Sequence, residues 1–546
     1  MSVADSKFSF RNSDSWLFRG GQWHDGDSGM LLPPAISVGS SNEPWLDVHQ
    51  AYYINTVYET LEAEFDFRRN SGHCGIGLIV RAQDEQHYYL VQFPFCGQQI
   101  REGHFWAAIT RFDESGWGEV LVCERVPGIP CEAGFWNHAR VVASDGQISL
   151  WVNGRPLTSS CDYNYPSAGC IGLAEWGGCQ VKNLTIRGRE TQSMNSAFSK
   201  NVFHPWFDLQ LTNNENTTIS YASPEPTAHQ VISGLTKAAD NSLWMTANNS
   251  LHRSDDNGRT WNVIPFFQEL SHATIVKSSD GSLILLRVSM TKPFLIETAR
   301  SVDDGHSWSE FLPAGEINVS KNVKEMYMYG SILTLKDGGL LYFGMTYPPN
   351  YELTVIDGRR YRFAQTIDEL NFCIRSDDGG RTWSDPIDID GPNPTPAHWM
   401  SRKDGCSEVS AIETSQGDIV AFTRPGSAWA MWESRSADGG RTWTPKSAGP
   451  FLSYACAAPA RATASGALIV GGRFPALAIH VSLDNGMTWK TYQIDTEAWA
   501  MGYMYEVEPD VVLWIYGSGA RQLRSQYIRI TSDGAKLDTD FLQTER

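Results

Sequence analysis

The stretch SDDGGRTW (376–383) recurs four more times, as SDDNGRTW (254–261), SVDDGHSW (301–308), SADGGRTW (436–443) and SLDNGMTW (482–489). The shared pattern is Ser-x-Asp-x-Gly-x-Thr/Ser-Trp. Its aspartates are Asp256, Asp303, Asp378, Asp438 and Asp484, separated by 47, 75, 60 and 46 residues. Each residue type has a local structural reason to be there. The Ser and Asp side chains bond backbone amides of their own turn, the Gly takes a conformation other residues avoid, and the Trp offers a large apolar face to a neighbouring sheet. These aspartates are therefore read as structural, not catalytic.

A second signal precedes each box: a turn followed by an apolar strand. It reads DNSLWMTA (240–247), DGSLILLR (280–287), DGGLLYFG (337–344), QGDIVAFT (416–423) and SGALIVGG (465–472). A sixth copy, PDVVLWIY (509–516), is followed by the degenerate RITSDGAKL (528–536). A repeating unit of about 45 residues with several short strands is the pattern of a propeller blade. Six copies predict a six-bladed β-propeller over residues 228–546.

Upstream, TLEAEFDFRR (60–69), CGIGLIVRA (74–82), HYYLVQFPF (87–95) and GQISLWVNG (146–154) alternate with period two, as half-buried strands do. Asp-Gly in SDGQ (144–147) and Asn-Gly in VNGRP (152–156) supply hairpin turns. Amphipathic helical stretches are nearly absent, so the chain reads as all-β, with a β-sandwich over residues 1–190. The closing stretch AGCIGLAEWGGCQVKNLTIRG (168–188) resembles the last strands of concanavalin/laminin-G-like jelly rolls. Residues 191–227 are rich in Asn, Ser and Thr and read as a linker, with room for a strand that closes the next domain.

Composition bounds the function. The chain has 546 residues, of which 41% are hydrophobic and 19% charged, the balance of a globular protein. Lys and Arg total 44 against 62 Asp and Glu, a net charge of −18, which disfavours nucleic acid and anionic membrane as partners. No apolar run approaches the roughly 18 residues of a membrane-spanning helix, so no membrane insertion is expected. The opening MSVADSKFSF lacks the basic and apolar regions of a secretory signal; a cytoplasmic protein and a trimmed secreted one both fit. The 10 cysteines show no C-x-x-C spacing and read mainly as buried thiols. With no H-E-x-x-H and no Gly-rich phosphate loop, neither metal nor cofactor is predicted. Oligomeric state stays open.

The repeated box resembles the Asp-box of the sialidase-like (BNR-repeat) superfamily, over residues 228–546. That resemblance implies boxes on one rim and an active site at the opposite end of the central axis. It implies an exo-acting glycoside hydrolase that removes a terminal sugar, an acidic one included, with a glycan as partner. In GCSEVSAIETSQGDIVAFTR (405–424) it places Glu408 at the glutamate that activates the nucleophile, and Arg424 in the arginine triad. GALIVGGRFPALAIHVSLDNG (466–486) offers Arg473 as another triad member, with Arg461 as the alternative. GYMYEVEPDVVLWIY (502–516) offers Tyr503, or Tyr505, as nucleophile. The residue types suit the chemistry. A carboxylate on the anomeric carbon repels a carboxylate nucleophile, whereas a tyrosine deprotonated only during reaction avoids that repulsion. Arginines grip a carboxylate bidentately.

The first repeat departs from the family pattern. In AHQVISGLTKAADNSLWMTANNSLHRSDDNG (228–258), His229 and Gln230 stand where the family has Arg, and no loop offers the Asp that acts as general acid. Arg287 is a substitute cation. KEMYMYGSI (324–332) brings Glu325, Tyr327 and Tyr329; NPTPAHWMSRKDGCSE (393–408) brings His398, Arg402, Lys403 and Asp404. Asp404 and Glu325 are the candidate general acids, with His398 and Tyr327 as substrate contacts. The insertion at 346–372 is long enough for a lid. Two other readings stay open: a non-catalytic carbohydrate-binding propeller, favoured by the missing Arg and Asp, and a lyase of uronate polymers with tyrosine as base. The sandwich would be an accessory domain that recognises carbohydrate or buttresses the propeller.

Overall fold

The computed structural model describes residues 6–10, 13–19, 22–27, 30–33, 48–69, 75–94, 104–127, 129, 134–165, 168–176, 179–191, 198, 207–208, 211–212, 218–219, 232–292, 294–318, 325–328, 331–347, 351–356, 359–364, 371–389, 407–424, 430–452, 459–472, 477–495, 502–517, 523–538 and 540. Nearly all regular structure among them is strand. No helix there is long and apolar enough to cross a membrane. The chain divides into two compact units: Met1–Pro205 with Phe474–Ile479 and Lys490–Trp499, and Trp206–Arg473 with His480–Trp489 and Ala500–Arg546.

The first unit is organised by one long strand, Val48–Arg69. Its first half pairs antiparallel with Gly169–Trp176, which continues through Gly75–Ala82, Tyr88–Pro94, His104–Phe112 and Gly118–Pro127. Its second half pairs with Cys179–Thr191 on one side and Asn137–Ser144 on the other. Period-two alternation puts Phe65, Phe67, Leu78, Val91, Val141 and Val181 into one apolar core. Gly75–Ala82 is buried on both faces: Ile76, Leu78 and Val80 enter that core, while Ile79 and Ala82 join a second cluster with Tyr52 and Leu90. Cys123, Cys161, Cys170, Cys179 and Cys373 are thiols, not half-cystines, and burial pushes Cys170 and Cys373 up to about 12.

The second unit has a β-propeller arrangement. Four sheets open on the strands Ile232–Lys237, Thr274–Lys277, Ile332–Thr334 and Ser407–Glu413, and a further one on Gly502–Glu508. In the third sheet Glu325–Tyr327 and Ile332–Thr334 both pair with Leu340–Tyr347, so its inner edge is in two pieces. The insertion after it holds a separate hairpin, Tyr351–Ile356 with Arg359–Ala364. Phe207–Asp208, from the stretch read as a linker, pairs with Leu523–Thr531 of the last sheet, so a strand from before the first repeat does join a propeller sheet.

Five propeller sheets therefore stand as separate sheets, where the repeat count predicts six. The difference lies in the fifth repeat. Its strands Ala460–Ala462 and Leu468–Gly472 pair with each other, and its outer strand Lys490–Asp495 pairs both with Leu477–Ser482 and with Gly118–Pro127, so this repeat is not a separate sheet.

The core of this arrangement lies between sheets, as radial packing requires. Ile284, Leu286 and Ile296 of the second sheet meet Leu340, Tyr342 and Ile374 of the third. Leu341 and Phe343 meet Val409 and Ala421, and Val420 and Phe422 meet Leu468 and Val470. The repeated box closes each turn in the same way. In the third copy Ser376 Oγ donates to Asp378 Oδ1 at 2.8 Å and accepts from Gly380 N–H at 2.8 Å. Thr382 donates its N–H and Oγ1 to the two carboxylate oxygens at 2.9 and 2.6 Å. Trp261, Trp383 and Trp443 pack into the inter-sheet clusters, the role expected for them.

Candidate functional site

Within each repeat of the propeller successive strands pair antiparallel, so the first and third run the same way. The boxes follow the third strands, at Ser254, Ser301, Ser376 and Ser436. Residues that begin inner strands, Glu408 and Tyr503 among them, therefore sit at the end of their sheets away from the boxes.

The inner strands neighbour one another in the order Ile232–Lys237, Thr274–Lys277, Ile332–Thr334, Ser407–Glu413, Ala460–Ala462, Gly502–Glu508, and the last returns to the first. They enclose a cavity of about 430 Å³. Tyr503, Tyr505 and Arg461 all line it. Alternate residues of an extended strand share a face, which brings the two tyrosines to one side. The Arg461 guanidinium lies over the Tyr505 ring, 4.1 Å from its centroid. Its buried Nε has no hydrogen-bond partner among the described residues. Tyr503 packs against the core of the first and last sheets, and burial pushes its phenol up to about 12. At neutral pH the phenol therefore keeps its proton.

Glu408 is the extra residue of a β-bulge: Ser407 faces Arg424 and Val409 faces Thr423, with Glu408 between. Its φ is +42°, a left-handed conformation costly for a residue with a Cβ. Its N–H points at Met345 Sδ, 3.4 Å away. Bulges re-aim side chains next to sites, and strain of this kind concentrates there. The same pairing puts Arg424 at the end of its strand, level with the start of the Glu408 strand.

Arg287 is directed elsewhere. Its Nε donates to Glu297 Oε2 at 2.9 Å, Nη1 donates to the Glu269 carbonyl, and its guanidinium sits 4.0 Å over Phe311. It does not line the cavity. Glu325 and Tyr327 lie on a strand whose partner residues are Tyr347 and Met345; their side chains, and that of Arg424, are outside the described residues. Asp404, His398, Arg473, Tyr329, Arg402, Lys403, His229 and Gln230 are outside them altogether.

Three cavity residues escape the sequence reading: Lys277, Lys336 and Glu413. Lys336 Nζ donates to the Thr414 carbonyl at 2.7 Å, and its backbone N–H donates to Glu413 Oε2 at 2.8 Å. Burial holds the Glu413 carboxyl above its ordinary value. Lys277 and Glu413 are the last residues of their inner strands, in TIVK (274–277) and SAIE (410–413), and Lys336 lies in the turn that follows Ile332–Thr334. For Lys277 and Glu413 the signal is a charge ending an apolar strand. Among the described residues no group of three or more His, Cys, Asp or Glu side chains is placed to hold a metal ion.

Residues 8–187 match the family described as 3-keto-alpha-glucoside-1,2-lyase-like domain. No curated protein matches the chain in sequence. Among solved structures, the Hadza microbial sialidase Hz136 is similar at 14% identity and a TM-score of 0.44, over 91% of this chain and 98% of that one. A protein of unknown function from Dyadobacter fermentans is similar at 16% identity and a TM-score of 0.41, over 61% and 98%. The leech intramolecular trans-sialidase complexed with 2,7-anhydro-Neu5Ac is similar at 11% identity and a TM-score of 0.33, over 96% and 97%.

Proposed function

We propose that this protein acts on glycans, as an exo-acting glycoside hydrolase of the sialidase-like superfamily whose active site lies on the propeller axis. The observation that carries the reading is the convergence of Tyr503, Tyr505 and Arg461 on one cavity ringed by inner strands. In this reading Tyr503 or Tyr505 is the nucleophile and Glu408 takes its proton, which avoids setting one carboxylate against another. Arg424, Arg473 and Arg461 hold an anionic group on the sugar, with His398 and Tyr327 as further contacts. Asp404 or Glu325 protonates the leaving oxygen. The strands of the fifth repeat complete a six-bladed ring, and residues 1–190 form a concanavalin/laminin-G-like sandwich. The family of that first domain is named for chemistry on a glucoside, which agrees with a glycan as partner.

A panel of aryl glycosides with sialic, uronic and neutral sugars tests the reading. Turnover lost in Glu408→Gln and kept in Asp256→Asn is the expected result; no turnover on any of them overturns it. One observation favours a second reading, a carbohydrate-binding propeller without turnover: burial holds the Tyr503 phenol near 12, which resists forming a nucleophile. Glycan binding that survives Glu408→Gln, with no turnover, would establish that alternative.

A further inference from the structure

The chain carries a net charge of −18, yet its axial cavity is lined by three cationic side chains, Lys277, Lys336 and Arg461, against one carboxylate, Glu413. Lys336 is accounted for by the Thr414 and Ser415 carbonyls, at 2.7 and 3.2 Å. Glu413 Oε2 accepts the Lys336 backbone N–H at 2.8 Å, so the one carboxylate is engaged at the Lys336 turn. That leaves Lys277 and Arg461. Both are partly buried. Among the described residues the Lys277 ammonium has no hydrogen-bond or ion-pair partner. The Arg461 guanidinium has the Tyr505 face, and its buried Nε has no acceptor.

Their places in the ring make the pair more than two loose charges. Thr274–Lys277 is the second inner strand and Ala460–Ala462 the fifth, with two inner strands between them on either side. Lys277 and Arg461 thus approach the cavity from opposite walls. Like charges lining one cavity repel, and a partly buried charge with no opposite charge beside it is costly. One anion between them turns that repulsion into two attractions, and field lines focused by the low-dielectric walls raise its local concentration. Lys277 ends its strand, on the side of the boxes, whereas Glu408 begins its own strand at the other end.

We infer that the axial cavity binds a small oxyanion between Lys277 and Arg461, at a point nearer the boxes than Glu408. The group is a sulfate, a phosphate or the carboxylate of a small acid. The inference rests on the axial cavity being a ligand site and is independent of whether any bond is hydrolysed.

Calorimetric titration of the full chain with potassium sulfate, potassium phosphate and sodium glucuronate, with glucose as the neutral control, tests it. Saturable binding of at least one anion is expected, weakened tenfold or more in Lys277→Met and in Arg461→Met and restored in Lys277→Arg. Binding of sulfate or phosphate identifies a free oxyanion as the natural occupant; binding of glucuronate alone identifies a sugar carboxylate. Melting temperatures show that the variants are folded, and the aryl glycoside panel run on Lys277→Met, at a residue with no part in the proposed hydrolysis, separates loss of this site from loss of activity. No saturable anion binding, or binding undiminished in both Met variants, overturns the inference.

Discussion

The guanidinium of Arg461 stacks on the ring of Tyr505 at 4.1 Å, joining the inner strand of the fifth repeat to that of the last sheet. The contact lies at the cavity wall, where partial desolvation strengthens a cation–π pair to about 0.5–2 kcal/mol. A double-mutant cycle with Arg461→Met and Tyr505→Leu, read by chemical denaturation, is expected to give a coupling in that range. Additive effects of the two substitutions would show the stack to be energetically idle.

Glu408 gives the second prediction. A non-glycine residue at φ +42° stores about 1–3 kcal/mol that only the surrounding sheet enforces. Glycine adopts that conformation freely, at the cost of a more disordered unfolded chain. Glu408→Gly is therefore expected to stabilise the propeller by about 1 kcal/mol while removing any turnover. A fall in melting temperature would mean that the Glu408 side chain holds the bulge together and is not held in it.

Much of the propeller was legible because its punctuation is local. Ser376, Asp378, Gly380 and Thr382 bond across separations of two and four residues, so the turn is written in one short stretch. The assignment of the fifth repeat was not legible. Lys490–Asp495 pairs with Gly118–Pro127, hundreds of residues away, and edge pairing leaves no mark on local periodicity. Arg287 shows what strand register adds. It stands at a strand end and reads as a site cation, but the hairpin register puts it opposite Glu297, which with Phe311 takes up its charge. Lys277 is the converse: a lysine ending a strand reads as solvated, and only the closure of the ring turns it inward.

Gly305, in the second box, has φ +90°, and a Cβ there would stand 2.1 Å from Trp244 Cζ2. Trp244 is fully buried between the first two sheets and has no room to retreat. Gly305→Ala combines a strained backbone with overpacking, which alone costs about 1–3 kcal/mol. Gly417 has φ +92°, but a methyl group placed there would meet nothing within 4 Å, so Gly417→Ala incurs the strain alone. The expected order of melting temperatures is wild type, then Gly417→Ala, then Gly305→Ala. Equal losses would mean that Trp244 is not packed as tightly as its burial suggests.

The box aspartates set an acid limit on stability. At Asp378 burial raises the carboxyl, but hydrogen bonds from Thr382, Ser376 and Arg381 outweigh it and bring it down to about 2. Asp303 and Asp484 are held at about 2 by the same bonds from Ser307 and Ser301, and from Thr488 and Ser482. An unfolded aspartate titrates near 4. The unfolded state therefore takes up protons first as pH drops, so the stabilisation from ionised Asp378 is complete above pH ~4 and is lost as pH falls through about 2. Asp378→Asn removes the titrating group while keeping an acceptor oxygen. It is expected to melt below wild type at pH 7, with the difference shrinking between pH 4 and 2 and vanishing at the acid end. A gap that stays constant across that window would show that the carboxylate charge contributes nothing to the turn, and that the repeated Asp is there for its shape alone.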